Sequence, residues 1–391
     1  MGDIYENSHI TIAATASQDS NGGLFSADRP VVRRLDKHPH LYVRTQPECF
    51  PTSTSNCIPT SMPLLTRAWV YQERRLSQRT IHFGKHQVYW ECQSNFASED
   101  FSENKTWNTY APDIKDPKDL DWGDKLSDHK NHWQKTVMEY TKLELTYESD
   151  RLPAIAAVVD RMSRLQRVDD VYIAGLWKSS ILSDLVWRTR EIEARPARMA
   201  PSWSWVSAPN SGVLWDGYEF TQEAEVISLE YTVVGAANLG EVTNASIILM
   251  VPVLNFTGLN RHDSDKDCWF RWFDCFEDLS KPGPIMEQFR QNNLEIALTF
   301  FYPDYNLTNA NPPFEYGCTI KLLVARGSSA SIGGIVVQQI SGNPQEYRRI
   351  GFLHFYLEEI ESEMDGEEDE EKYEDITDLI LSLPMEEVKI I

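Results

Sequence analysis

Glu73 lies in the segment RAWVYQERRLS (67–77), where Arg67, Arg74 and Arg75 are close enough in sequence to pair with it. By residue type alone, a helical carboxylate among guanidiniums is a solvated or ion-paired group. Other constellations carry less chemistry. His82, His86 and Cys92 sit on one hairpin, but no fourth ligand follows at a zinc-site spacing, so no metal is expected. Asp263, Asp265 and Asp267 alternate like the start of a calcium loop, yet the sixth position is not Gly and the twelfth is not Glu. Ser202 and Ser204 lack the G-x-S-x-G context of a hydrolase nucleophile, and no Gly-rich phosphate loop occurs.

The elements that must position these residues follow from periodicity. HITIAATA (9–16) is a short apolar run and predicts a buried strand, followed by a turn at Asn21, Gly22 and Gly23. Thr66 is the expected N-cap of a helix over 67–77, on which Leu65, Trp69, Gln72, Glu73 and Leu76 share a side. RTIHF and QVYWEC predict a hairpin around Gly84–Lys85 with one buried face. Three helical segments follow. HWQKTVMEYTKLEL carries a stripe of Trp133, Val137, Tyr140 and Leu143. LPAIAAVVDRMSRL has Asp150 as its candidate cap, and KSSILSDLVWRT turns Ile181 and Leu185 inward. PSWSWVS and VLW then predict a second hairpin, with Trp203 and Trp205 in the core.

Beyond about residue 216 the period becomes that of strands. Six strand-like runs, from EAEVISLEYTVVG to RIGFLHFYLEE, predict a sandwich or partial barrel. Residues 373–391 predict a weak helix. The fold class is therefore α+β, divided as 1–99, a helical region 100–215, a β-rich domain 216–357 and an acidic tail 358–391.

The 391 residues carry a net charge of −22, which argues against nucleic acid and anionic membranes as partners. Thirteen acidic residues and one basic residue fall between Glu358 and Asp378, the composition of a solvating segment. Six scattered cysteines form no CxxC, and MGDIYENS lacks the pattern of a signal peptide, so reduced thiols and a cytoplasmic location are expected.

Four segments in order resemble the fungal heterokaryon-incompatibility (HET) domain and the region after it. They are IYENSHITIAATASQDSNGGLF (4–25), RAWVYQERRLSQRTIHF with VYWECQSNFASE (67–99), LPAIAAVV with YIAGLWKSSILSDLVW (152–187), and PSWSWVS (201–207). The opening ALSYxWG-type strand of that family does not occur, so the resemblance implies a chain that starts partway through the domain. It also implies a partial α/β, TIR-like segment. A buried strand followed by a helix bearing W-x-x-x-E, here Trp69 to Glu73, is the shared feature.

By that resemblance Glu73 is the catalytic carboxylate of an NAD glycohydrolase, with NAD as substrate and no cofactor. Cleavage at the nicotinamide–ribose bond passes through an oxocarbenium-like cation that a carboxylate stabilises. Trp69 would pack beneath the site, and Arg67 and Gln72 would hold the substrate. The family implies non-self recognition and regulated cell death. The competing expectation is a non-enzymatic module binding an unidentified protein partner. Sheet edges left without neighbours imply self-association.

Overall fold

The computed structural model describes residues 1–26, 32–44, 50–51, 58, 60–92, 95–99, 104–106, 126–165, 170–194, 200–209, 212–234, 241–256, 294–307, 319–327, 331–359 and 379–391. The chain forms two compact units, one of 1–129 with 143–169, the other of 130–142 with 170–391.

The first unit begins with α1 (Gly2–Glu6), β1 (Thr11–Ala13) and a hairpin of β2 (Val32–Leu35) and β3 (His38–Arg44). A 3-10 turn (Pro63–Thr66) leads into α2 (Ala68–Leu76). Then come β4 (Arg79–Phe83), β5 (Val88–Cys92), β6 (Asn95–Ser98) and β7 (Asn104–Thr106). These last four form an antiparallel meander, and β1 pairs with β4 in parallel. A parallel pair needs a crossover, and α2 supplies it.

Several expectations change here. β1 is not buried: Ile12 is 60% exposed, because β1 is an edge strand and it is Thr15, just beyond it, that turns inward. Thr66 does not cap α2. Its Oγ1 donates to Pro63 O (3.0 Å), and the N-cap is Arg67. The first α2 amide, Ala68 N, finds Glu144 O at 2.9 Å, a tertiary substitute for a side-chain cap.

α3 (Leu126–Tyr140) crosses the boundary between the units. In the second unit its Trp133, Val137 and Tyr140 are all buried, as their spacing predicts. α4 (Ala156–Leu165), in the first unit, begins one turn later than the sequence suggests. Asp150 does not cap it; it accepts Trp69 Nε1 at 3.0 Å.

In the second unit come β8 (Tyr172–Ile173), β9 (Leu176–Trp177) and α5 (Ile181–Asp184). β10 (Arg188–Thr189) pairs with β11 (Val213–Leu214). PSWSWVS is not a strand: Trp205–Ser207 is a 3-10 turn whose N-cap, Ser204, accepts from Val206 N. The alternating tryptophans are buried for another reason. The Trp205 and Trp133 indoles both donate to Gly175 O, at 2.7 and 3.0 Å. Gly175 has φ +93°, and a Cβ there would meet Trp205 Nε1 at 2.6 Å.

The β-rich part comprises β12 (Glu225–Val234), β13 (Glu241–Phe256), β14 (Leu294–Pro303), β15 (Ile320–Arg326), β16 (Ser331–Ile340), β17 (Asn343–Glu359) and β18 (Met385–Ile390). Pairing runs from β13 through β15, β16 and β17 to β18, and β18 returns to β13. That ring has the closure of a small barrel, extended by β12 and β14. Residues 385–390 were expected to be helical. They are a strand because Val388 and Ile390 alternate with Glu387 and Lys389, and β13 and β17 leave a slot with backbone groups to satisfy. The acidic run lies outside the described residues over 360–378.

Two buried charges brace this unit. Arg349 reaches Asp304 Oδ2 at 2.8 Å, donates to Leu185 O at 2.6 Å and stacks 3.5 Å from the Trp187 ring centroid. Asp184 is fully buried, accepting Gln134 Nε2 at 3.0 Å and Ser180 Oγ at 2.6 Å. Burial pushes its pKa up to about 7, although the bonds from Ser180, Gln134 and the Trp177 backbone and the charge of Lys130 oppose the shift.

The folded pKa of Asp184 exceeds the ordinary carboxyl value of 3.8, so the native state holds the proton more tightly. Its contribution is full below that lower value and is lost as pH rises toward about 7. The slope is about 1.4 kcal/mol per pH unit within that window. Denaturant unfolding from pH 4 to 8 should show wild type losing stability relative to Asp184→Asn. Parallel curves for the two proteins would contradict the assignment.

Candidate functional site

α2 sets the site. Successive side chains on a helix point about 100° apart, so Arg74 and Glu73 leave it in different directions. Arg74 turns under the helix onto the sheet. Its Nε lies 2.9 Å from Glu91 Oε2 and its Nη2 2.8 Å from Glu91 Oε1. Glu91 also accepts His82 Nε2 at 3.0 Å, and His82 Nδ1 shares a hydrogen bond with Thr15 Oγ1 at 3.1 Å. Phe50 closes the cluster, its ring 5.0 Å from the Arg74 guanidinium and 4.8 Å from the His82 ring. Glu91, His82 and Thr15 are sealed from solvent. His82 is thus committed to Glu91 and Thr15, and no group of His, Cys, Asp and Glu suited to a metal occurs among the described residues.

With Arg74 fixed below, Glu73 faces α1. It is half-buried, with the Tyr5 phenol as a polar neighbour. Desolvation pushes the Glu73 pKa above the usual carboxylate range, against the influence of Tyr5 and the charge of Arg67, which both lower it. The Tyr5 phenol is itself pushed up to about 12 by burial and by the neighbouring carboxylate, so it stays a donor at neutral pH.

The other residues singled out by sequence are spread around the helix. Arg67 is exposed and acts on Glu73 through its charge. Trp69 is half-buried, its indole tied to Asp150. Gln72 is buried, and its Oε1 accepts Ala157 N at 3.3 Å, near the start of α4. The structure therefore brings Arg67 to Glu73 and turns Gln72 toward α4. Arg75 reaches the Tyr71 hydroxyl at 3.5 Å rather than Glu73.

Sequence reasoning missed Tyr5, Glu91 and Thr15 as partners. Only Glu91 leaves a trace: it is a charge in step with Tyr89 on the inward phase of β5, opposite Thr80 in β4. Nothing in IYENS marks Tyr5.

Residues 1–73 match the family model described as Heterokaryon incompatibility protein (HET). Over this segment, 73 of the 391 residues, the chain is similar to the HET family. The match takes in Tyr5, Arg67, Trp69, Gln72 and Glu73. No curated protein and no solved structure shows a significant match to the chain. Among the described residues no helix is long and apolar enough to cross a membrane. The Cys92 Sγ donates to Asn95 Oδ1 at 3.0 Å. The other five cysteines, the Asp263–Asp267 triplet and the acidic run fall outside the described residues.

Removing the Glu91 charge leaves the Arg74 guanidinium buried without its counter-ion. Glu91→Gln should cost about 3 kcal/mol in denaturant unfolding, the scale for breaking a buried pair. A loss below about 0.5 kcal/mol, the scale of a surface change, would show that the fork does not brace the unit.

Proposed function

We propose that this chain acts in non-self recognition and regulated cell death by cleaving NAD, with Glu73 as the essential carboxylate. The observation that carries the reading is the environment of Glu73. It is a half-buried, desolvated carboxylate that feels the charge of the Arg67 guanidinium, within the HET-matched segment. Buried, oriented carboxylates of this kind recur where positive charge develops in a reaction.

The reaction breaks the C1′–N bond, and the electron pair leaves with nicotinamide. The cationic C1′ is stabilised by ionised Glu73. Water then forms the new C1′–O bond and loses a proton to Glu73 or solvent, giving ADP-ribose. Arg67, at the open side of Glu73, would meet substrate phosphate or ribose oxygens. Trp69 and Gln72 would contribute mainly by holding α2 in place through Asp150 and Ala157.

A second reading is a non-enzymatic protein-interaction module. It is favoured by apolar side chains left open in the same unit, Ile12 at 60% and Phe25 at 81% exposure.

Nicotinamide release from NAD by the full chain separates the two. Glu73→Gln should lower release by at least 10²-fold, the scale for losing one electrostatic stabiliser, while leaving the unfolding midpoint close to wild type. Because the ionised form acts, release should rise with pH through the elevated Glu73 pKa. Equal release from both proteins, or none from wild type, would leave the interaction reading in possession.

A further inference from the structure

We propose that the hairpin of β2 and β3 is a docking surface for an acidic, extended protein segment, which adds as a third strand along β3. The inference does not depend on NAD cleavage; it gives the interaction reading a surface within the HET-matched segment. β2 and β3 form a two-stranded sheet with no third strand among the described residues. Every described side chain of the hairpin is exposed, from Arg33 to His38 and from His40 to Val43. A two-stranded ribbon with no buried face is marginal in water, and a further strand stabilises it. β3 is the longer strand, and on it Leu41, Tyr42 and Val43 are 46%, 64% and 51% exposed, so both of its faces present apolar surface.

Charge selects the partner. The segment 32–44 carries four basic residues, Arg33, Arg34, Lys37 and Arg44, and one acidic residue, Asp36, in a chain of net charge −22. The register puts an arginine on each face: Arg33 opposite Val43, and Arg34 opposite Tyr42. Leu41 and Val43 therefore share a face with Arg33, and His40 and Tyr42 share the other with Arg34. A strand that alternates apolar and acidic residues extends the Leu41–Val43 face with the first set and meets Arg34 with the second. Main-chain bonds along the edge supply affinity, and the alternating side chains supply selectivity. Pro39 lacks an N–H, so the added strand pairs beyond it, over residues 40–44. Other anions fit less well. The tip of the hairpin is the charged turn Asp36–Lys37, so no apolar point leads into a bilayer, and the apolar residues lie along a strand instead. The field of the whole chain opposes approach to extended polyanions such as duplex DNA.

The test is binding of a fluorescein-labelled peptide of alternating glutamate and valine, about eight residues long and so able to span a strand, to the full chain. Fluorescence anisotropy gives the affinity, and amide hydrogen exchange locates the contact. Binding should be saturable, should weaken as salt rises, and should slow exchange over residues 40–44. Arg33→Glu with Arg34→Glu should lower affinity by about 10-fold or more, the effect of reversing charges at an interface. Leu41→Thr with Val43→Thr should lower it by about 5-fold at low and high salt alike, as loss of apolar contact does. All four side chains are exposed, so the unfolding midpoint and nicotinamide release should stay at their wild-type values, and the NAD-cleavage reading stands or falls separately. No binding at millimolar peptide, binding untouched by both double substitutions, or equal binding of a lysine–valine peptide would overturn the proposal. Tighter binding to phosphatidylserine vesicles or to duplex DNA would overturn it too and assign the surface to another anion. Should a double variant fail to fold, exchange in the wild-type complex decides alone: protection over 40–44 supports the proposal and its absence rejects it.

Discussion

A guanidinium taken out of water must be neutralised where it lies, and Arg74 imposes that constraint on the HET-matched unit. Removing a cation from solvent costs several kcal/mol unless an anion and further acceptors meet it. Glu91 supplies the anion through a forked contact, and Pro51 O lies 3.4 Å from the same guanidinium. His82 and Thr15 extend the chain of bonds to the residues just after β1. The fork thereby fixes the rotation of α2 on the sheet. Such a pair need not add net stability over an apolar core. What it specifies is orientation, since a slip of α2 would leave both charges without a partner.

That rotation decides the fate of Glu73. Because Arg74 points at the sheet, the residue before it points across at α1, into partial burial beside Tyr5. The same turn of helix gives Gln72 to α4 and Trp69 to Asp150. Contacts from Trp69, Gln72 and Arg74 thus fix the helix that holds this carboxylate in a desolvated setting. The second unit uses the same device for another purpose. Arg349, Asp304 and Trp187 lock its interior.

Local patterns made much of this legible. The helix at 68–76, the hairpin of β4 and β5, the buried stripe of α3 and six of the seven long C-terminal strands all follow from apolar spacing. The failures share a cause. β1 reads as buried because an apolar run carries no information about its neighbours, and here one flank is open. PSWSW reads as a strand because alternating tryptophans are buried either way; the carbonyl of Gly175, thirty residues earlier, decides between strand and turn. β18 reads as a weak helix because its partners, β13 and β17, are far away in sequence. For the site, Glu73 is visible through its motif, whereas Tyr5 and Glu91 become partners only through tertiary packing.

The most direct measurement is the binding of NAD to the full chain, followed at the side-chain carboxyl carbon of Glu73 and the ring of Tyr5. A ribose hydroxyl taken up by Glu73 should shift both signals together, saturably, with little change at the sealed His82–Glu91 pair. Signals from Glu73 and Tyr5 that stay fixed at millimolar NAD would contradict the claim that this carboxylate is a substrate site.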